Sequence, residues 1–357
     1  MKIIILSSVD LDSGTGLRMS GLAKALAKLG HEVYLTGSGL YEDIRPAVYL
    51  GLKKKRGLKK IISLILANIK FLKKDNYDVI IASKAHPASC IPVLLYGKRV
   101  KKILDFDDLE HAYWKNPIKR YFFELMEKVA PRFFDYVTTH NENLKNYITA
   151  HLAVPEKKII MLQQGIDLGI LKKYKKRRIA EKKTIVYAAH LGPAASDLDI
   201  IFEAMKNIKN ANLVVIGHGT KFSYYQKMVK KMGLDNVFFV GSVKHGDIAQ
   251  YLSAADAAVN FMRPTPANLC RASIKIREYL AFGIPTASNI VGSDMKTFKK
   301  YLYVINDCSP KGVENALRKA LNDSEKKSQM GKKYMKRWSW DKIVASLEKK
   351  LLVISKS

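Results

Sequence analysis

Acidic side chains are scarce in this chain. Its 357 residues carry 32 Asp and Glu against 62 Lys and Arg, a formal net charge of +30. Such an excess implies an anionic partner: nucleic acid, anionic lipid or a phosphorylated substrate. The charge is spread, +10 over residues 1–168 and +20 over the remainder, which favours a surface-wide preference over one binding tail. Cysteine is nearly absent. Cys90, Cys270 and Cys308 are odd in number, scattered, and include no C-x-x-C pair. That excludes a Cys-based metal site and fits reduced thiols in the cytosol. Long apolar runs are missing too, none approaching the roughly 18–20 residues that span a bilayer. The opening Ile3–Leu6 is too short for a signal peptide and reads as a first buried strand.

What is present is alternation. Hydrophobic residues make up 48% of the chain, enough for two cores at this length. Strand Ile3–Leu6 leads through a Gly14-Thr15-Gly16 loop to a helix from about Arg18 to Leu29, which Gly30 ends. Strands follow at Glu32–Thr36, Val79–Ala82, Lys102–Phe106, Tyr136–Thr139 and Ile159–Leu162, with helices between them. A polar, highly basic stretch from Lys172 to Lys183 reads as a linker. The alternation restarts with Thr184–Ala188, helix Leu198–Ile208, Leu213–Ile216, helix Tyr224–Met232, Val237–Val240, helix Asp247–Ala254 and Ala257–Phe261. Strand Pro285–Ser288, helix Gly312–Leu321 and a final amphipathic helix to about Ile354 complete the pattern. Strands alternating with helices predict mostly parallel, doubly wound sheets.

The densest chemistry lies in Ser273-Ile274-Lys275-Ile276-Arg277-Glu278-Tyr279-Leu280-Ala281-Phe282-Gly283-Ile284-Pro285. Lys275 and Glu278 are one helical turn apart and share a face. A helix start favours anions through its free N–H groups and dipole. Lys275 suits a phosphate and Glu278 a pair of sugar hydroxyls, so a ligand carrying both is a nucleotide sugar. A second reading has Glu278 paired with Lys275 or Arg277 on a helix surface.

Beyond the carboxyl ends of the first-half strands, where open α/β sheets bind ligands, stand Asp10–Gly16, Lys84–Pro87 and Asp105–Asp108. Asp107 could serve as a general base toward a hydroxyl, or Asp107 or Asp108 could cap the helix Leu109–Trp114. A D-x-D metal motif is the third reading of Asp105, Asp107 and Asp108. His86 is either a contact to the acceptor or a strand-end histidine. Residues 53–74 hold nine basic side chains and no acid, with Leu58, Ile61, Ile62, Ile65, Leu66, Ile69 and Leu72 at helical period. This basic amphipathic helix suits an anionic membrane surface, unless its stripe packs on the sheet.

The segment from Lys275 to Ser288 resembles the donor-site signature of GT-B glycosyltransferases, most of all the retaining family 4. Lys28–Val33, Gln164–Asp167, Leu213–Gly219, Val237–Gly241 and Trp338–Asp341 resemble further family segments, in the family's order. The resemblance implies two Rossmann-like domains facing across a cleft: an acceptor domain 1–171, a linker 172–183, a donor domain 184–338, and a C-terminal helix 339–357 returning to the first domain. It implies a metal-independent transferase, retaining rather than inverting, that moves a sugar from a UDP- or GDP-linked donor, with no further cofactor. The acceptor is then a hydroxyl of a membrane-linked glycan or glycolipid at the inner face of the cell membrane.

On the donor side the resemblance implies Glu278, Lys275, Arg271, His190, Gly217, Gly241, Val243, Gly292, Ser293 and Asp294. On the acceptor side, placement at strand ends gives Gly14, Thr15, Gly16, Asp105 and Asp108, with Asp107 and His86 as the candidate catalytic residues. The chain departs from the family in two places. Cys270 stands where an earlier Glu is usual. His190 stands where an Arg is usual, with no Lys after it, so Arg18, Arg263 or Arg271 would neutralise the diphosphate. Two alternatives stay open: a catalytically impaired scaffold binding anionic ligands, and a nucleotide-sugar 2-epimerase. Nucleic acid is not an expected partner, since the basic residues are not interleaved with stacking aromatics.

Overall fold

Ile3, Ile4, Ile5 and Leu6 are wholly buried. A run apolar on both faces belongs inside a parallel sheet covered by helices on either side, and the computed structural model is built on that plan twice. It describes residues 1–39, 43–52, 55, 57–172, 181–192 and 197–356. The chain forms two units, one of residues 1–167, 270–272 and 338–357, the other of residues 168–269 and 273–337.

In the first unit the elements are β1 (Lys2–Leu6), α1 (Gly14–Lys28), β2 (Glu32–Gly37), β3 (Val48–Gly51), α2 (Gly57–Lys74), β4 (Val79–Ser83), α3 (Pro87–Leu95), β5 (Lys101–Asp105), α4 (Pro117–Val129), β6 (Tyr136–Thr139), α5 (Glu142–Leu152) and β7 (Ile159–Met161). The sheet order is β3-β2-β1-β4-β5-β6-β7, every pair parallel. The second unit runs β8 (Lys183–Ala188), α6 (Leu198–Met205), β9 (Ala211–Ile216), α7 (Phe222–Lys231), β10 (Val237–Gly241), α8 (His245–Ala254), β11 (Ala257–Asn260), α9 (Pro266–Leu269), α10 (Ile274–Phe282), β12 (Thr286–Ser288), α11 (Gly292–Phe298), β13 (Tyr303–Val304), α12 (Pro310–Asn322) and α13 (Lys327–Met335). Its order is β10-β9-β8-β11-β12-β13, again parallel. The last helix, α14 (Trp340–Lys356), packs on α1 of the first unit, where the Trp340 indole fills the space a Cβ on Gly21 would need.

Three elements differ from the sequence reading. Helix α1 begins at Gly14 because Ser13 caps it, accepting from the Gly16 N–H at 3.2 Å. The expected Gly14-Thr15-Gly16 loop is therefore the first helical turn. Strands β3 and β13 have four and two residues, too short to show a period. Most of the expected linker, residues 173–180, lies outside the described residues.

Candidate active site

Parallel order puts the loops after β8, β9, β10 and β12 on one edge of the second sheet, and α10 starts at that edge. Ser273 caps α10, and Gly283 closes it in the left-handed region at φ 71°. The helix is pinned three ways. The Ala188 N–H at the end of β8 donates to Tyr279 Oη at 2.8 Å. Arg277 is fully buried and donates to both oxygens of Asp294 at 2.5 and 3.0 Å, and to the Ser273 carbonyl at 3.0 Å. Its guanidinium also lies 5.0 Å from the Phe298 ring. So Arg277 points inward, locking α10 to α11, while Lys275 and Glu278 take the other face. The Lys275 Nζ sits 4.6 Å over the Tyr187 ring. Glu278 is 4% exposed, and His245 Nε2 reaches its Oε1 at 2.5 Å. The surface pairing of Glu278 with Lys275 or Arg277 is therefore not what the fold makes.

Several expected donor contacts have other duties. Asp294 accepts from Arg277 and from the Ser273 N–H at 3.2 Å, so it positions α10. The Gly217 N–H donates to the Gly241 carbonyl at 2.8 Å, and a Cβ there would lie 1.9 Å from the Ala189 oxygen. Gly217 is thus a glycine for backbone packing, not for phosphate contact. Gly292, at φ 78°, has the Leu269 carbonyl 2.3 Å from where a Cβ would stand. Gly241 at φ 83° has open space there. His190 is exposed on the loop after β8, Val243 is half-buried after β10, and Ser293 lies in the first turn of α11. Arg263 is committed to Asp197 and Asp199 at 2.6 and 2.7 Å, which removes it as a diphosphate counter-charge.

In the first unit the carboxyl edge carries a buried ionic network. Arg18 has no exposed surface and donates to both oxygens of Asp105 at 2.8 and 2.9 Å and to the Leu162 carbonyl at 2.9 Å. Thr138 adds a hydrogen bond to Asp105 at 2.7 Å. Burial alone would raise the Asp105 pKa, but the guanidinium and these bonds hold it below the usual carboxylate range. Asp105 therefore cannot contact an acceptor, and Arg18 cannot neutralise a diphosphate; each is spent on the other.

Asp108 accepts from Lys84 Nζ at 3.1 Å and from the Tyr113 hydroxyl at 2.9 Å. Burial would raise it, and Lys84 with Arg271 brings it below its ordinary value. Lys84 is also paired with Glu110 and sits in the left-handed region at φ 61°, a costly conformation for a lysine. The short helix Glu110–Tyr113 has no side-chain cap, so the capping role for Asp107 or Asp108 is not observed.

Asp107 differs from its neighbours. It is 8% exposed and accepts from the Thr15 hydroxyl at 2.6 Å, with His140 Nε2 at 3.6 Å and Arg18 Nε at 3.7 Å from Oδ1. Burial and the Asp108 charge together push its pKa up. A carboxyl raised toward neutrality beside two better-stabilised carboxylates has the electrostatics of a base. Gly16 is excluded from acceptor contact, since its N–H is used by Ser13 and its Cα face abuts Leu11. Thr15 acts through Asp107, and Gly14 is exposed at the helix start. His86 caps α3, its Nδ1 accepting from the Ala88 N–H at 3.1 Å, and burial lowers its pKa to about 4. Arg271 lies 5.7 Å over the Tyr113 ring. Among the described residues no group of three His, Cys, Asp or Glu side chains is placed to hold a metal ion.

Comparison with known proteins draws the two sheets together. The pattern described as Glycosyltransferase Family 4 matches residues 13–169, and that described as Glycosyl transferases group 1 matches residues 169–337. The chain belongs to the GT-B glycosyltransferases of family-4 type. Solved structures agree on the fold of this glycosyltransferase. Sucrose-phosphate synthase from Thermosynechococcus elongatus is 16% identical, covers 99% of this chain and 100% of its own, and has a TM-score of 0.78. Anabaena HepE in complex with UDP and glucose is 16% identical, with 98% of each chain covered and a TM-score of 0.74. WaaG, a glycosyltransferase involved in lipopolysaccharide biosynthesis, is 15% identical over the whole of both chains, TM-score 0.71. Among curated protein sequences none matches this glycosyltransferase.

Reading the sequence alone missed His245, His140 and Arg18 as a structural cation. His245 stands 33 residues from Glu278, beyond the reach of helical spacing. His140 offered a signal, since it directly follows strand β6 at a carboxyl edge.

Proposed function

We propose that this glycosyltransferase moves a sugar from a UDP- or GDP-linked donor to a hydroxyl of a membrane-linked glycan or glycolipid, without a metal ion and with retention of configuration. The observation that carries the reading is α10: Glu278 and Lys275 on one face at the carboxyl edge of the second sheet, with Arg277 holding that face in place from behind. In this reading the Glu278 side chain accepts hydrogen bonds from a ribose diol, and Lys275 offsets diphosphate charge. His190, exposed on the loop after β8, is a further polar group at that edge. Asp107 orients the acceptor hydroxyl, with Thr15 fixing its second oxygen. The net charge of +30 supports a docked position on an anionic membrane, as does the exposed row Leu58, Ile62 and Leu66 on α2. Lys53, Lys54 and Arg56 of that basic region lie outside the described residues. The complexes of HepE with UDP, and WaaG's part in lipopolysaccharide synthesis, support the same substrate classes by analogy.

The test is thermal stabilisation by UDP, GDP and ADP and their sugars, against an oligonucleotide of equal phosphate content. A shift with one nucleoside diphosphate and none with the oligonucleotide is expected. Stabilisation by the oligonucleotide alone would turn the reading toward an anionic scaffold, and interconversion of the donor sugar without transfer would turn it toward an epimerase.

A further inference from the structure

A glutamate side chain turns about three bonds, and a carboxyl that must meet two hydroxyls together does so well only when those bonds are already held. Ser273, Tyr279 and Arg277 fix helix α10 and with it the Glu278 backbone. The carboxyl group itself is reached from another element. Strand β10 leads at the same carboxyl edge into α8, and His245 is the first residue of that helix. Its Nε2 lies 2.5 Å from Glu278 Oε1, and 19% of the imidazole is exposed.

A polar contact between two helices often serves only to hold them together. Here α8 has other means of attachment. Ala249, Leu252 and Ala254 bury its inner face, and the helix packs on both α10 and β8. Nor is His245 spent on its own helix, whose N-cap is Lys244 and has no side-chain cap bond. The imidazole instead spans 33 positions of sequence to meet one oxygen of one carboxyl group, at the edge where Lys275 also stands. A carboxylate only accepts hydrogen bonds, so Nε2 supplies the hydrogen.

We propose that His245 is a positioning residue of the donor subsite. It fixes Glu278 through Oε1, so that Oε2 is presented to the ribose diol, and the site thereby selects a nucleotide that carries the diol over one that lacks it. His245 acts through Glu278 and not on the reacting atoms. Holding the side chain beforehand spares the ligand the loss of rotamer freedom that binding would otherwise impose. The inference rests on the donor assignment of Glu278 proposed above.

The experiment is titration calorimetry of the full chain with UDP or GDP, whichever stabilises the parent, and with the matching 2′,3′-dideoxy nucleotide. The variants are His245→Ala, His245→Phe (which keeps a ring and lacks Nε2), His245→Gln and Glu278→Ala, with a thermal melt of each. The ribonucleotide should bind the Ala and Phe variants about three- to tenfold more weakly than the parent. The dideoxy nucleotide has no diol to offer Glu278, so it should bind parent and variants alike. Gln, whose side-chain N–H can take the place of Nε2–H, should recover most of the lost affinity. Equal losses for the two ligands would make His245 a general support of the fold and overturn the proposal. Unchanged or tighter ribonucleotide binding in both the Ala and Phe variants would overturn it as well, tighter binding showing that His245 competes with the ribose. A loss in Glu278→Ala beside none at His245 would defeat this inference alone. No loss in Glu278→Ala, or a parent that binds neither nucleotide, would defeat the donor reading and this inference with it.

Discussion

Replacing Glu278 probes the donor site most directly. The side chain is 4% exposed and gives one oxygen to His245, leaving the other oxygen and a further lone pair for a ribose diol. A hydrogen bond to a charged group is worth about 1.5–3 kcal/mol. Glu278→Gln keeps one acceptor and loses one charge-assisted bond, so UDP should bind about tenfold more weakly. Glu278→Ala loses both, about 3 kcal/mol, or on the order of 100-fold. Titration calorimetry with UDP and 2′-deoxy-UDP separates this from a general defect. The deoxy ligand lacks one of the bonds at issue, so its further loss in the Ala variant should be about half, in kcal/mol, of that for UDP. Thermal melts check the fold of both variants, since removing one partner of a largely buried pair costs about 3 kcal/mol. Unchanged UDP affinity in folded Glu278→Ala protein would refute the assignment, and equal losses for the two ligands would refute the ribose contact.

Two further predictions concern the first unit. Asp107→Asn should lower kcat by about 10²–10⁴, while thermal stability at pH 7 stays level or rises. The raised pKa means the folded state favours the protonated acid, a contribution present at low pH and lost as pH rises through that pKa; a large loss of stability at pH 7 with activity retained would make Asp107 structural. His86→Asn keeps a capping acceptor and should flatten the acid side of the stability curve. Its pKa falls from 6.5 to about 4 on folding, so its contribution is present above 6.5 and declines by up to about 3 kcal/mol as pH falls toward 4. Urea melts of both proteins from pH 7 to 4 check this, and parallel curves would show that His86 is not the group responsible.

Much of the architecture was legible because it follows from local pattern. Ile3–Leu6, Val79–Ala82 and Leu213–Ile216 are apolar on both faces, and only a strand covered by helices on either side of its sheet satisfies that. The donor segment was legible because Ser273 caps, Lys275 and Glu278 share a face by helical spacing, and Gly283 closes the turn. Local rules could not separate Arg277 from Lys275, two cations two residues apart. Burial decides, placing Arg277 on Asp294 and leaving Lys275 on the outer face. The glycines at 217 and 292 stand among the donor-side residues in the sequence reading, and in the fold each has a carbonyl of a distant segment where a Cβ would stand.

The run Asp105–Asp108 marks the boundary most clearly. The sequence by itself determined that carboxylates would gather at a strand end, because strand period and chain order settle where they emerge. Only tertiary structure decided their roles. Arg18, 87 residues away, neutralises Asp105, Lys84 neutralises Asp108, and Asp107 is left raised beside Thr15. Charge partners and desolvation are properties of packed three-dimensional neighbours, and no spacing along a chain encodes them. The same holds for α4, whose outer apolar face looks like core in sequence and is exposed only because the sheet is already covered by the other face.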